Sequence, residues 1–195
     1  MSTLNFNTTL LFPTIIGSCI NTPLAEKVLP FAKEVLDNPK NLTNAWGYKN
    51  NFSTSSNNNI PNTEIFKELE SFIKDVSISF AKTLHFKKAP SNVRLFFSEM
   101  NNGDNHSTHT HPNSIFSGVF YLNAPPNSAS IRFHDPRQYQ NFILYDTVEN
   151  PGSLVTFEIK PQKGLFLIWQ SWIPHEVLKN LSNGRTTVVF NIWFS

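Results

Sequence analysis

From Val93 to Phe194 the chain is cut into short β-prone segments, and no segment with a helical pattern separates the later ones. Val93 to Met100, Ile115 to Leu122, Ala129 to Phe133, Leu154 to Ile159, Leu165 to Trp169 and Thr186 to Phe194 carry mostly β-branched and aromatic residues. Turn signals separate them: Asn101-Asn102-Gly103-Asp104-Asn105, Asn150-Pro151-Gly152-Ser153, Pro161-Gln162-Lys163-Gly164 and Gly184. Parallel strands need a long crossover, usually a helix, so this spacing argues against βαβ units and for an antiparallel sandwich or barrel. Two helical patterns precede it. After Asn21-Thr22-Pro23, a cap followed by a proline in the first turn, Leu24, Val28, Phe31, Ala32 and Val35 recur at helical spacing and predict a helix over 23–37. Between Pro61 and Leu84 the stripe Ile65, Phe66, Leu69, Phe72, Ile73, Val76 and Phe80 predicts a second helix, with Lys67, Glu68, Lys74 and Asp75 off the stripe.

The fold class expected is therefore α+β, an antiparallel β-core backed by two N-terminal helices. The whole chain, 1–195, reads as one domain, with helical support over about 20–86 and the β-core over about 91–195. Leu10 to Gly17, an apolar run broken by Pro13, suits an edge strand, and Ser53 to Asn59 has no periodicity and reads as a loop.

Composition narrows the partners. Sixteen basic against fourteen acidic residues leave a net charge of +2, which gives no broad attraction to nucleic acid or an anionic membrane. The single cysteine, Cys19, excludes an intrachain disulfide and reads as a small apolar residue of the first strand. No apolar run approaches the roughly 20 residues of a membrane span, and the N-terminus lacks a basic signal region, so the expected location is cytoplasmic.

Three of the six histidines, His106, His109 and His111, fall within Asn105-His106-Ser107-Thr108-His109-Thr110-His111-Pro112-Asn113-Ser114. In an extended chain alternate side chains share a face, so His109 and His111 project the same way, a metal-ligand spacing. His106 lies an odd number of positions away and, in an uninterrupted strand, faces outward or stands behind the ligands. A histidine pair alone is more often a solvated strand end. The weight comes from two later features: His175, after Gln170-Ser171-Trp172-Ile173-Pro174, and Arg185, ten residues further on and followed by Thr187. Trp169, Trp172 and Trp193 read as core or pocket wall.

In this order the residues resemble an iron(II)- and 2-oxoglutarate-dependent oxygenase of the double-stranded β-helix (jelly-roll, cupin-like) type. Within that superfamily the chain is similar to a group of uncharacterised 2OG-Fe(II) oxygenases. The matching segments are His109-Thr110-His111-Pro112-Asn113-Ser114, Ser117-Gly118-Val119-Phe120-Tyr121-Leu122, Asp135-Pro136-Arg137, Pro161-Gln162-Lys163-Gly164, Ser171-Trp172-Ile173-Pro174-His175-Glu176-Val177, Arg185 and Phe190-Asn191. The resemblance implies Fe(II), 2-oxoglutarate and O2 as cofactors, and hydroxylation of a C–H bond with release of succinate and CO2. The usual ligand set is two histidines and a carboxylate. Here His111 stands at the carboxylate position beside His109 and His175, and Asp135 is the alternative carboxylate. The resemblance further implies that Arg185 pairs with the distal carboxylate of the oxoacid, a guanidinium fork suiting a carboxylate. Thr187 would add a hydroxyl, and Tyr121 resembles the tyrosine that contacts that carboxylate in the prolyl hydroxylase branch.

Around this set, Arg137 either pairs with Asp135 or faces substrate, while Asn113 and Ser114 order the metal loop or touch substrate. His106 and Trp172 complete the candidates for substrate or supporting contacts. The expected substrate is a small molecule or an amino-acid side chain. Two rival readings are a cupin-like metalloenzyme that uses no oxoacid and a non-catalytic jelly-roll binding module.

Overall fold

In the computed structural model, which describes residues 12–38, 40, 53–54, 60–137 and 155–194, the short segments pair antiparallel into two sheets. The elements in chain order are β1 (Ile16–Ile20), α1 (Thr22–Asp37), β2 (Ser53–Thr54), α2 (Glu64–Thr83), β3 (Asn92–Met100), β4 (His106–His109), β5 (Phe116–Asn123), β6 (Ile131–His134), β7 (Thr156–Ile159), β8 (Leu165–Gln170), β9 (His175–Val177) and β10 (Arg185–Trp193). The larger sheet has the order β1-β8-β5-β10-β3-β2, and the smaller β4-β9-β6-β7.

Both helices start where their caps predict. The Leu24 N–H donates to Asn21 Oδ1 at 3.1 Å, and the Phe66 N–H donates to Thr63 Oγ1 at 3.3 Å, each satisfying a backbone donor that a first turn leaves open. The helices lie against one face of the larger sheet. Val28, Ala32 and Val35 of α1 and Leu69, Ile73 and Phe80 of α2 share a buried cluster with Leu95, Phe97, Phe116, Phe120, Phe166, Val188 and Phe190. Edge-on ring pairs such as Phe80–Phe116 at 5.1 Å and Phe72–Phe166 at 5.4 Å fill it. Each buried phenylalanine contributes about 2 kcal/mol.

Alternation along the strands puts a second set on the other face. Val119 and Tyr121 of β5 and Leu167 and Trp169 of β8 pack with Ile131, Phe133 and Ile173 to line the interior of the roll. The central strand β5 is thus covered on both sides, and Gly118 marks the tightest point. A Cβ there would lie 2.1 Å from the Phe190 ring and 2.4 Å from the Leu167 carbonyl oxygen, so only glycine fits.

The smaller sheet closes the roll. Its inward side chains form two cross-strand rungs, one of His109, His175, Phe133 and Phe157 and one of His106, Val177, Ile131 and Ile159. Its outer face is polar: Arg132 bridges Glu158 at 2.6 Å and Glu176 at 3.2 Å.

This is the α+β architecture expected, a double-stranded β-helix with two supporting helices. Three details differ from the sequence reading. The first strand runs Ile16–Ile20 rather than 10–17 and joins the larger sheet beside β8, beyond Pro13 and its missing donor. Ser53 and Thr54, read as loop, pair with Glu99 and Ser98 of β3; residues 55–59 and the turn at 150–153 lie outside the described residues. β4 and β9, too short to show a period, emerge only as a pair. Among the described residues no helix is long and apolar enough to cross a membrane.

Candidate metal centre

β4 and β9 lie side by side with His109 opposite His175, while His111 follows β4 on the loop toward β5. That loop is held to the β8–β9 connection by two backbone bonds: His111 N–H to the Ser171 carbonyl at 3.0 Å, and Ser171 N–H to the Ile115 carbonyl at 2.9 Å. Asn113 takes φ +64°, which asparagine tolerates, and turns the chain into β5. The result brings together residues separated by more than sixty positions. One ligand atom from each of His109, His111 and His175 lies within 4.8 Å of the others, and the Nε2 atoms of His111 and His175 are 3.2 Å apart. Metal–nitrogen bonds of about 2.1 Å at right angles put neighbouring donors about 3.0 Å apart, so this pair has the spacing of two ligands on one ion.

The protons are on the correct side. His109 Nδ1–H donates to the Ser107 carbonyl at 2.7 Å and His175 Nδ1–H to the Ile173 carbonyl at 2.9 Å, which leaves Nε2 of each as a lone pair facing inward. Burial also keeps the rings neutral. It pushes His175 down to about 2 and His111 to about 4, with neighbouring imidazoles adding to the effect. His109 is lowered as well, burial outweighing its bond to Ser107. Three uncharged nitrogen donors this close together suit a divalent transition metal.

Of the two positions open to His106, outward or behind the ligands, the strand pairing favours the inner side. Between His106 and His109 the pairing slips, three residues of β4 spanning two of β9, and this bulge rotates His106 onto the inner face. Its ring stacks on His109 at 3.9 Å, and burial with the adjacent histidines pushes it down to about 3. Simple parity misses this because an extra residue inverts the alternation.

Asp135 stands just past β6, and its carboxylate is engaged by Arg137: Nε donates to Oδ1 at 2.9 Å and Nη2 to Oδ2 at 2.6 Å. The Arg137 bond holds the Asp135 carboxyl below the usual range. The group of possible ligands among the described residues contains the three histidines without Asp135. Ser114 is half-buried and Asn113 exposed at the turn, and Trp172 is 51 % exposed on the β8–β9 loop. Trp169, by contrast, is buried with its ring 4.7 Å from that of His175.

At the far end of the interior lies Arg185, 3 % exposed. Its guanidinium reaches Tyr121 Oη at 3.5 Å, the Ala129 carbonyl at 3.3 Å and Met100 Sδ at 3.5 Å, and sits 5.0 Å from the centre of the Tyr121 ring. Among the described residues no carboxylate pairs with it. Burial lowers its pKa and raises that of Tyr121. A buried cation held only by long contacts to neutral groups is costly unless an anion joins it. Thr187, next on the same face, has only a 3.5 Å contact to the Ser98 carbonyl.

Metal-free, the centre is sensitive to acid. The folded-state pKa of His175, about 2, lies below the roughly 6.5 of an unfolded histidine. The stability tied to its neutral form is therefore complete above pH 6.5 and is lost as pH falls from there toward 2, because the unfolded chain takes up a proton that the folded one refuses. Between pH 7 and 5, His175 alone removes about 2 kcal/mol. Thermal unfolding of chelator-treated protein is expected to drop over that interval; a flat midpoint would contradict it.

A roll of this topology with a histidine cluster at one end and a buried arginine at the other defines a metal-dependent oxygenase fold. The chain belongs to the family described as "Putative 2OG-Fe(II) oxygenase", whose model matches residues 94–191, just over half of the protein. Its cofactors are accordingly Fe(II) and 2-oxoglutarate. A prolyl-4-hydroxylase from Pseudomonas putida superposes with a TM-score of 0.68 at 14% identity, covering 93% of this chain and 94% of that one. A Trichoplax adhaerens prolyl hydroxylase, solved with a hypoxia inducible factor peptide, gives 0.67 at 14% identity over 91% and 83%. The 2-oxoglutarate-dependent epimerase SnoN of nogalamycin biosynthesis gives 0.63 at 10% identity over 92% and 77%. At these identities the likeness is one of fold. No curated protein matches the sequence significantly.

Proposed function

We propose that His109, His111 and His175 hold Fe(II), that Arg185, Tyr121 and Thr187 receive the distal carboxylate of 2-oxoglutarate, and that the enzyme hydroxylates a C–H bond of a small molecule or an amino-acid side chain. The observation that carries this reading is the pairing of two complementary donor sets in one interior. Three neutral imidazoles offer nitrogen donors to a cation, and a buried guanidinium faces no carboxylate among the described residues. A divalent metal chelated by a dicarboxylate answers both.

When bound, iron with the oxoacid and O2 supplies the oxidant: one oxygen atom enters the substrate C–H bond, the other enters succinate, and CO2 leaves. The protein's own part is orientation. The carbonyls of Ser107 and Ile173 aim two imidazoles, and the Ser171 backbone clips the loop carrying the third. Arg185 and the Tyr121 hydroxyl set the far end of the cosubstrate. Val119, Ile131, Phe133, Leu167 and Trp169 form the apolar packing of the interior face. The structural relatives named as prolyl hydroxylases and as an epimerase keep both substrate classes within the reading.

Anaerobic addition of Fe(II) and then 2-oxoglutarate is expected to produce the visible charge-transfer band of a chelated oxoacid, and O2 then releases succinate. Metal binding without any oxoacid binding would transfer the chain to the cupin-like reading, and failure to bind metal would leave a binding module.

A further inference from the structure

Asn191 lies in an otherwise apolar stretch, Val188-Val189-Phe190-Asn191-Ile192, and is only 7 % exposed. Its side chain is half used. Oδ1 accepts from Ser117 Oγ at 2.7 Å, and Ser117 Oγ is 2.7 Å from Ser171 Oγ. A hydroxyl has one proton, so Ser117 donates to Asn191 and Ser171 donates to Ser117. This chain ties the oxygen of the carboxamide to the β5 side and turns its NH2 away. The NH2 makes no hydrogen bond to a described residue. Nor is it sealed from solvent: it keeps some accessible surface.

Register gives its level. Asn191, Ser117 and Trp169 are cross-strand partners on β10, β5 and β8, and the Trp169 ring meets His175. Arg185 is six residues away on β10, whose pairing with β3 is unbroken, so the two side chains share a face. Arg185 leans over Tyr121, four residues from Ser117 on β5, or about 13 Å along the strand before the reach of the side chains shortens it. The interior therefore has one donor station at the Arg185 end and another at the histidine end.

Resting on the function proposed above, we propose that the Asn191 carboxamide donates a hydrogen bond to the metal-end carboxylate of 2-oxoglutarate, opposite the carboxylate held by Arg185. The same Ser171 that orients Asn191 through Ser117 also accepts from the His111 N–H, so cosubstrate and metal loop are positioned by one buried chain.

Calorimetry on the full-length protein loaded with Mn(II), with the anaerobic Fe(II) charge-transfer band as second readout, tests this in Asn191→Ala, Asn191→Asp and Arg185→Met. Asn191→Ala is expected to keep its metal affinity, lose about tenfold in oxoacid affinity and shift the band. Asn191→Asp keeps the acceptor for Ser117 while setting carboxylate against carboxylate, so it loses more; it also decides the matter if the alanine variant does not fold. Unchanged oxoacid affinity in the Asn191 variants, with a loss in Arg185→Met, overturns the proposal and leaves the functional reading intact. A parallel loss of metal affinity makes Asn191 a structural support and also overturns it. A parent protein that binds no oxoacid sinks the functional reading itself.

Discussion

Replacing His175 with alanine is expected to leave a folded protein that no longer retains metal. His175 is the buried member of the cluster, with Nδ1 anchored to the Ile173 carbonyl and Nε2 3.2 Å from that of His111. Its removal leaves two donors, one at the end of β4 and one on the loop that follows it. Loss of groups that merely orient a ligand costs 10–100-fold in metal affinity, so loss of a ligand itself should cost about 100-fold or more. Metal content after purification and Co(II) titration measure it. The variant should also unfold with a weaker dependence on pH below 6.5, since the most depressed imidazole is gone. A variant that keeps its metal would remove His175 from the site.

Arg185→Met separates function from stability in the opposite direction. The guanidinium is buried with no carboxylate opposite it among the described residues, so in the absence of ligand it bears a desolvation cost that its contacts to Tyr121, Ala129 and Met100 only partly offset. Methionine fills similar volume without charge, and exchanging buried ionic groups for apolar ones is often neutral or stabilising. The thermal midpoint of the metal-free variant is expected to equal or exceed that of the parent. Oxoacid affinity should fall by about 3 kcal/mol, more than 100-fold, because a buried charge-assisted pair is removed. The visible band would vanish with it. A variant that both unfolds earlier and binds the oxoacid normally would make Arg185 a structural cation.

Much of the roll was legible in advance because its signals are local. The Leu24-to-Val35 stripe and its Asn21 cap needed only helical spacing, and the segments of β3, β5, β8 and β10 stand between turn residues that break any other pattern. The interval from His109 to Arg185 carried the candidate metal and oxoacid residues in recognisable order. What escaped was set by non-local pairing. The bulge that brings His106 inward exists only because β4 meets β9 out of step, and the four-residue and three-residue strands involved have too few positions to show a period. Ser117, Ser171 and Asn191 appear in the sequence pattern, but only as small polar residues in apolar surroundings. Their hydrogen-bonded chain joins positions up to 74 apart.

The sequence by itself determined the fold class, the two capped helices and the candidate residues His109, His111, His175 and Arg185, because periodicity, turn chemistry and residue type are properties of neighbouring positions. Only the tertiary structure decided that three imidazoles converge while Asp135 is taken up by Arg137, that Arg185 is buried with no carboxylate against it among the described residues, and that Ser117 and Ser171 are joined to Asn191. Those facts depend on which strands pair and in which register, and register is fixed by the packing of the whole roll rather than by any one segment.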